Sequence, residues 1–404
     1  MLFLHIRKPL LIFCMAITAC AAPFFPASAG AVVFTVASYN VENLFDVEYD
    51  RTEYPDYLPG GGSGWDAKMV SLKAANIARV ILDLSPDIAA LQEIESAAAL
   101  EILQGHFARN GGAYPYMAVA RTGAAAVRCA VLSRFPIIEQ TEIALPGDGA
   151  RHILQVTVVI AEKPLVIFVN HWKSKTGPES RRMACARPLL SALQGLPPHT
   201  DYILLGDFNS DYNEYQTLAS RPVLNDTKSR TGINHILNTV MDDRLVSESD
   251  LVGSGKRLHY NLWLEVEPGR RWSAEFRNTR QSPDSILLPA ALYDGKGLSY
   301  VDNSFNRFDP GYLFSGGRIY RWQRGAGGRG RHLGKGYSDH LPVYARFTDG
   351  PFISGERRSG IRFSAVAAVA AVAAGNFGSG RWFPQAQFSW LREIHPWLRQ
   401  RFLP

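Results

Sequence analysis

Short runs of aliphatic and β-branched residues recur along most of this chain and set its architecture. The runs at 32–38, 88–91, 130–133, 153–160, 165–170, 202–206, 285–288 and 343–347 predict strands. Ile88 to Leu91 is continuously apolar, as a strand covered on both faces would be. Met69, Leu72, Val80, Ile81 and Leu84 fall at helical spacing, so 66–84 predicts a helix that Ser85-Pro86 ends. A second helix is predicted over 181–193. No low-complexity linker interrupts 32–347, and regions 50–64 and 323–336 are Gly-rich and predict mobile loops. Strands interleaved with helices imply an α/β domain of two packed sheets with helices outside.

The ends of the chain differ from this middle. Arg7 and Lys8 precede a short apolar stretch, Leu10 to Ala19, which predicts an export signal over 1–29. Ala27-Ser28-Ala29 suits cleavage before Gly30. The alternative is Ile17-Thr18-Ala19-Cys20, which resembles a lipoprotein box that would lipidate Cys20 and anchor the chain to a membrane. Either route predicts a periplasmic or secreted protein. Residues 349–404 predict a weakly ordered tail in which Ala365 to Ala374 is too short to span a bilayer. Its Trp382, Phe383, Trp390, Trp397 and Phe402 among arginines suit membrane contact at the headgroup level.

Composition excludes disorder and a multispan membrane protein, with 46% hydrophobic and 20% charged residues. The net charge of +6 invites a nucleic-acid reading, but its origin weakens that inference. Arg7, Lys8 and the tail, where seven arginines face Asp349, Glu356 and Glu393, account for the whole excess. Residues 30–348 are therefore neutral, and only a local basic patch remains open, with Arg121, Lys173, Lys175, Arg181 and Arg182 as its candidates. Cys129 and Cys185 lack metal-site spacing; they either pair or stay as separate thiols.

Five segments place polar residues at the ends of apolar runs: Ser38 to Asn43, Gln92-Glu93, Asn170 to Lys173, Asp207 to Asn209, and Ser338 to His340. Asp284 opens a sixth. Each alone reads as a turn or a solvated strand end, but together they suit phosphoester hydrolysis. A hard cation such as Mg²⁺, or Mn²⁺, wants oxygen ligands, and Glu93, Asp339 and the Asn40 amide supply them. Asp207 is the natural base for a water, with Asn209 fixing the geometry. Imidazolium donors at His171 and His340 would meet charge on phosphoryl oxygens, with Asp284 orienting His340. Asn170 and Lys173 complete the set as substrate contacts.

These motifs, Tyr39-Asn-Val-Glu-Asn-Leu-Phe-Asp46, Gly206-Asp-Phe-Asn209 and Ser338-Asp-His-Leu-Pro342, resemble the endonuclease/exonuclease/phosphatase superfamily from about Phe34 to Phe347. That superfamily includes pancreatic-type deoxyribonuclease, inositol polyphosphate 5-phosphatases and bacterial sphingomyelinases. The resemblance implies a four-layer αββα sandwich of two mixed sheets. It implies metal contact at Glu93 with Asn40 and Asp339 close by, Asp207 as base, Asn209 and His171 at the phosphate, and His340 paired with Asp284. Glu95 stands where apurinic endonucleases place a Lys, which argues against an abasic-site role. The expected activity is that of a monomeric nuclease. A lipid or small-molecule phosphodiesterase or phosphatase is the alternative, and a non-catalytic binding module on the same fold is the rival class.

Overall fold

A computed structural model describes residues 30–251 and 255–354; the export segment, Cys20 and the tail from 355 lie outside the described residues. The strands are β1 (Val33–Leu44), β2 (Ile88–Ile94), β3 (Tyr116–Val119), β4 (Arg128–Ser133), β5 (Ile137–Ile143), β6 (Ile153–Ile160), β7 (Lys163–His171) and β8 (Tyr202–Asp207). Asp284–Leu288 and Val343–Thr348 follow as further strands. The helices are α1 (Ala67–Leu84), α2 (Ala97–Arg109) and α3 (Glu179–Gln194). One sheet runs Ser299–Tyr300, Val343–Thr348, β1, β2, β4, β3; the other runs Tyr260–Asn261, Asp284–Leu288, β8, β7, β6, β5. Each is mixed, with one parallel pair, β1 with β2 and β7 with β8.

Period-two alternation explains the layering. Val36, Ile88, Val131, Val156, Ile167, Leu205, Ile286 and Ala345 point between the sheets into one core. The alternate residues Tyr39, Leu91 and Leu132 meet Ile77 and Ile81 of α1 and Leu103 and Phe107 of α2. On the other outer face, Phe168, Leu204 and Phe208 meet Ala186, Leu189 and Leu193 of α3. The result is the expected four-layer αββα sandwich. Asp66 caps α1 and Ser96 caps α2 with side-chain oxygens, the ordinary way to satisfy first-turn N–H groups. The α2 helix, β3 and β5 were not anticipated; β3 is only four residues long and β5 is largely exposed. Cys129 and Cys185 are both free and buried, one between the sheets and one on the inner face of α3.

The two Gly-rich regions pack on one another. His332 N–H donates to Ser63 O (2.9 Å), the ring bonds Asp56 O (2.8 Å), and Arg324 pairs with Asp56. Tyr57, Trp65 and Trp322 bury themselves in this seam, which fixes the entry to Arg321.

Candidate active site

Strand ends from both sheets meet at one place. In the second sheet, His171 ends β7, Asp207 ends β8, and Asp284 opens its strand; register sets His171 beside Asp207 and Asp207 beside Asp284. Gly206 allows this, because a Cβ there would sit 2.1 Å from Asn170 O. In the first sheet, β1 and β2 run in register as far as Asn40 and Gln92, then break in an irregularity. Glu42, Asn43 and Glu93 take positive φ of 55°, 64° and 67° there, the kind of strained backbone that re-aims side chains at functional sites.

The distances are short. The Asn40 amide N–H donates to Glu93 Oε1 and to Asp207 Oδ2, both at 3.1 Å. His171 Nε2 lies 3.6 Å from Glu93 Oε1 and 3.5 Å from Asp207 Oδ2. His340 Nδ1 bonds Asp284 Oδ2 at 2.8 Å, and that oxygen also accepts from Ser273 Oγ at 2.6 Å. Ligand atoms of Asp207, Asp284 and His340 lie within 4.8 Å of one another. His340 Nε2 stands 4.0 Å from Asp339 Oδ1, so Asp339 joins the group from its edge. Asn209 N–H fixes Asp207 Oδ1 (2.8 Å), and its amide donates to Trp172 O (3.1 Å).

Burial and neighbouring charge divide the titrating groups. The Asp207 carboxyl is raised from its ordinary range, chiefly by burial, with His340 opposing and Asp284 adding to the rise. Burial would depress His340, but Asp284, Asp207 and Asp339 together hold it well above the usual histidine value, so it stays protonated. His171 moves the other way: burial, then Arg151 and His340, lower it well below the usual histidine value. Glu93 is raised by burial and then by Asp339.

One sequence-based assignment, Asn170 as a substrate contact, is corrected, and the structure adds detail at Asn40 and His171. Asn40 Oδ1 accepts the Glu42 N–H (3.0 Å), and a flipped amide would set donor against donor. Asn40 thus clamps two carboxylates through its amide N–H, while its oxygen accepts from the Glu42 main chain. Asn170 is fully buried: its amide donates to Phe168 O and Leu205 O and its oxygen accepts from Trp172 Nε1, leaving nothing for substrate. At His171, burial, then Arg151 and His340, push the pKa well below the usual histidine range, which opposes the imidazolium form expected of it. The basic candidates also sort. Lys175 is paired with Asp211 and Glu214, and Arg182 with Glu179, so neither is available. Lys173 and Arg181 line a cavity of about 500 Å³ with His171 and Arg151.

Sequence reasoning missed Arg151, Glu42 and Arg321. Arg151 holds the carbonyls of His171 and Trp172. Arg321 grips Glu42 and lies 3.2 Å from Asp339 Oδ2. Burial lifts the Glu42 acid to about 7 despite that cation. Neither arginine belongs to a recognisable motif. Only the Glu at the fourth position of the Tyr39–Asp46 segment, polar inside a strand, offered a clue.

All carboxylate donors here are hard oxygen ligands, and Glu93 and Asp339 repel one another, so the set suits a hard divalent cation. Fold, motif residues and an oxygen-rich centre at strand ends define a phosphoester hydrolase. The chain belongs to the Endonuclease/Exonuclease/phosphatase family, whose sequence model matches residues 35–348. Among curated proteins it is similar to Protein angel of Drosophila melanogaster, 26% identical over 149 residues, which is 33% of this chain and 42% of that protein. The matched part thus spans less than half the length of that relative. Among solved structures it is similar to an endonuclease/exonuclease/phosphatase from Beutenbergia cavernae, with 16% identity, 79% of this chain and 72% of that chain covered, and a TM-score of 0.47. Humanized D. rerio TDP2 gives 15% identity, 78% and 98% coverage, and a TM-score of 0.47.

Proposed function

We propose that this chain is an exported, divalent-metal-dependent phosphodiesterase that acts on nucleic acid. The observation that carries the reading is the meeting of Glu93, Asp207, His171 and the Asp284–His340 pair at one place, joined by Asn40 and by contacts of 2.8 to 4.8 Å. Glu93, with Asp339 beside it, would hold Mg²⁺, or Mn²⁺ in its place. When bound, the cation would neutralise the phosphoryl oxygens and stabilise the leaving oxygen. Asp207, with its raised pKa and Asn209 steadying one oxygen, takes a proton from the attacking water. Protonated His340, held by Asp284, donates to the charge that grows on the phosphoryl group. His171 orients the same group, and Asn40 keeps Glu93 and Asp207 at a fixed distance.

Substrate choice rests on the cavity beside His171. Arg151, Lys173 and Arg181 face it, and only Asp148 opposes them. Among the described residues their side chains make no ion pair with a carboxylate, unlike Lys175 and Arg182. Such a wall favours a substrate with further phosphates next to the one cleaved, as in a polynucleotide. Export rests on the sequence pattern of 1–29 alone.

The test is a side-by-side hydrolysis screen of plasmid DNA, RNA, inositol phosphates and sphingomyelin with Mg²⁺. Nucleic acid cleaved fastest supports the reading. Sphingomyelin or an inositol phosphate turned over faster by ~10-fold would replace the substrate assignment and leave the phosphoesterase chemistry.

A further inference from the structure

Just past Glu93, a second set of carboxylates gathers that the chemistry above does not use. Asp50, Glu53 and Glu95 each offer an oxygen, all within 4.8 Å of one another. Glu95 is only 1% exposed. Each of the three uses one oxygen to fix main chain. Glu95 Oε2 accepts from Asp46 N (2.7 Å), Glu53 Oε1 from Asp50 N (2.6 Å), and Asp50 Oδ1 from Thr52 N (2.8 Å). The remaining oxygens of Glu95 and Glu53, Oε1 and Oε2, are buried and have no hydrogen-bond partner. No Lys or Arg among the described residues forms an ion pair with any of the three.

Buried carboxylate oxygens without a donor are costly unless a proton or a cation meets them. One proton shared between two oxygens would leave the third carboxylate facing the pair; a cation meets all three. Calcium binds oxygen at about 2.4 Å, so two of its ligands stand at most about 4.8 Å apart. The pairwise separations here fall within that limit. Carboxylates on an irregular loop also suit its flexible coordination better than the strict octahedron of magnesium.

We propose that Asp50, Glu53 and Glu95 form a second cation site that takes Ca²⁺ and ties the 46–53 loop to the end of β2. The loop leads into Tyr54, which packs on Phe45 at 5.5 Å and lines a cavity of about 670 Å³ with Glu42 and Arg321. Calcium would thus order one wall beside the candidate active site without entering it.

Calorimetric titration of the metal-stripped full chain with CaCl₂ tests this, alongside melting curves. Wild type and Glu93→Gln should both bind Ca²⁺ and melt higher with it, because Glu93 belongs to the other site. Asp50→Asn and Glu53→Gln, changes on an accessible loop that leave the core intact, should each weaken that binding at least ~10-fold. Three results would overturn the proposal: no Ca²⁺ binding by wild type up to about 10 mM, well beyond the range of weak extracellular sites; binding undiminished in both loop variants; or binding lost in Glu93→Gln alone. Mg²⁺ bound at this site as tightly as Ca²⁺ would overturn the choice of calcium. The readout is binding, so an enzyme inactive on every phosphodiester would sink the proposed function and leave this result standing.

Discussion

The two sheets bring different kinds of chemistry to the same crevice. From the second sheet come His171, Asp207 and Asp284, buried, in cross-strand register and fixed by main-chain hydrogen bonds. From the first come Glu93, Glu42 and, at the approach to its Val343–Thr348 strand, Asp339; the first two sit on strained backbone, and a loop arginine braces Glu42 and Asp339. A rigid half suits proton transfer, where small displacements are costly. A braced, partly exposed half suits a cation that enters and leaves.

If that division is right, the largest loss follows from the rigid half. Asp207→Asn should lower kcat at least ~100-fold with little change in KM, the scale of a general base. A steady-state profile showing Arg321→Gln equally damaging to kcat would erase the distinction between the halves.

The second sheet should also lose stability as pH falls. His259 is buried, with Nδ1 against Leu237 O and Nε2 accepting from the Tyr202 hydroxyl at 2.8 Å, and Tyr202 begins the strand that Asp207 ends. Burial lowers its pKa to about 4, so the folded state favours the neutral ring. The unfolded chain takes up the proton first, so stability drops as pH falls from about 6.5 through 4, by about 3 kcal/mol at most. Urea midpoints across that window should show the drop, and His259→Gln should flatten it.

Much of this half was legible in the sequence. Gly206-Asp207-Phe208-Asn209 and Asn170-His171 stand at the ends of strands that alternation alone delimits. Asn170 misled because a polar residue beside a catalytic one reads as a second contact, whereas three hydrogen bonds to its own sheet absorb it. Asn170→Ala should therefore act on stability, by about 2 kcal/mol, because it orphans the Trp172 indole N–H and two carbonyls. Chemical denaturation should show this while KM of the folded enzyme holds; a raised KM without a stability loss would restore the substrate role.

The other half was legible only in part. Glu93 and Asp339 lie in motifs, but the bend that aims Glu93 is a backbone irregularity without a residue signature. Arg321 reaches the site from a Gly-rich loop that pattern reading could not tie to anything. Its effect should be the smallest. Arg321→Gln leaves Glu42 without its cation, but the arginine is half exposed, so the loss should be about 1 kcal/mol. The loss should be greater at pH 8 than at pH 6. Glu42 titrates near 7, so at pH 6 it already carries the proton that burial favours.

The proposed function has both halves act through one divalent ion, and turnover of bis-p-nitrophenyl phosphate by chelator-stripped protein tests that most directly. The account predicts no measurable rate until Mg²⁺ or Mn²⁺ is returned, with Glu93→Gln needing at least ~10-fold more metal for half-maximal rate. Full activity in excess chelator, or a metal response in Glu93→Gln identical to wild type, would contradict it.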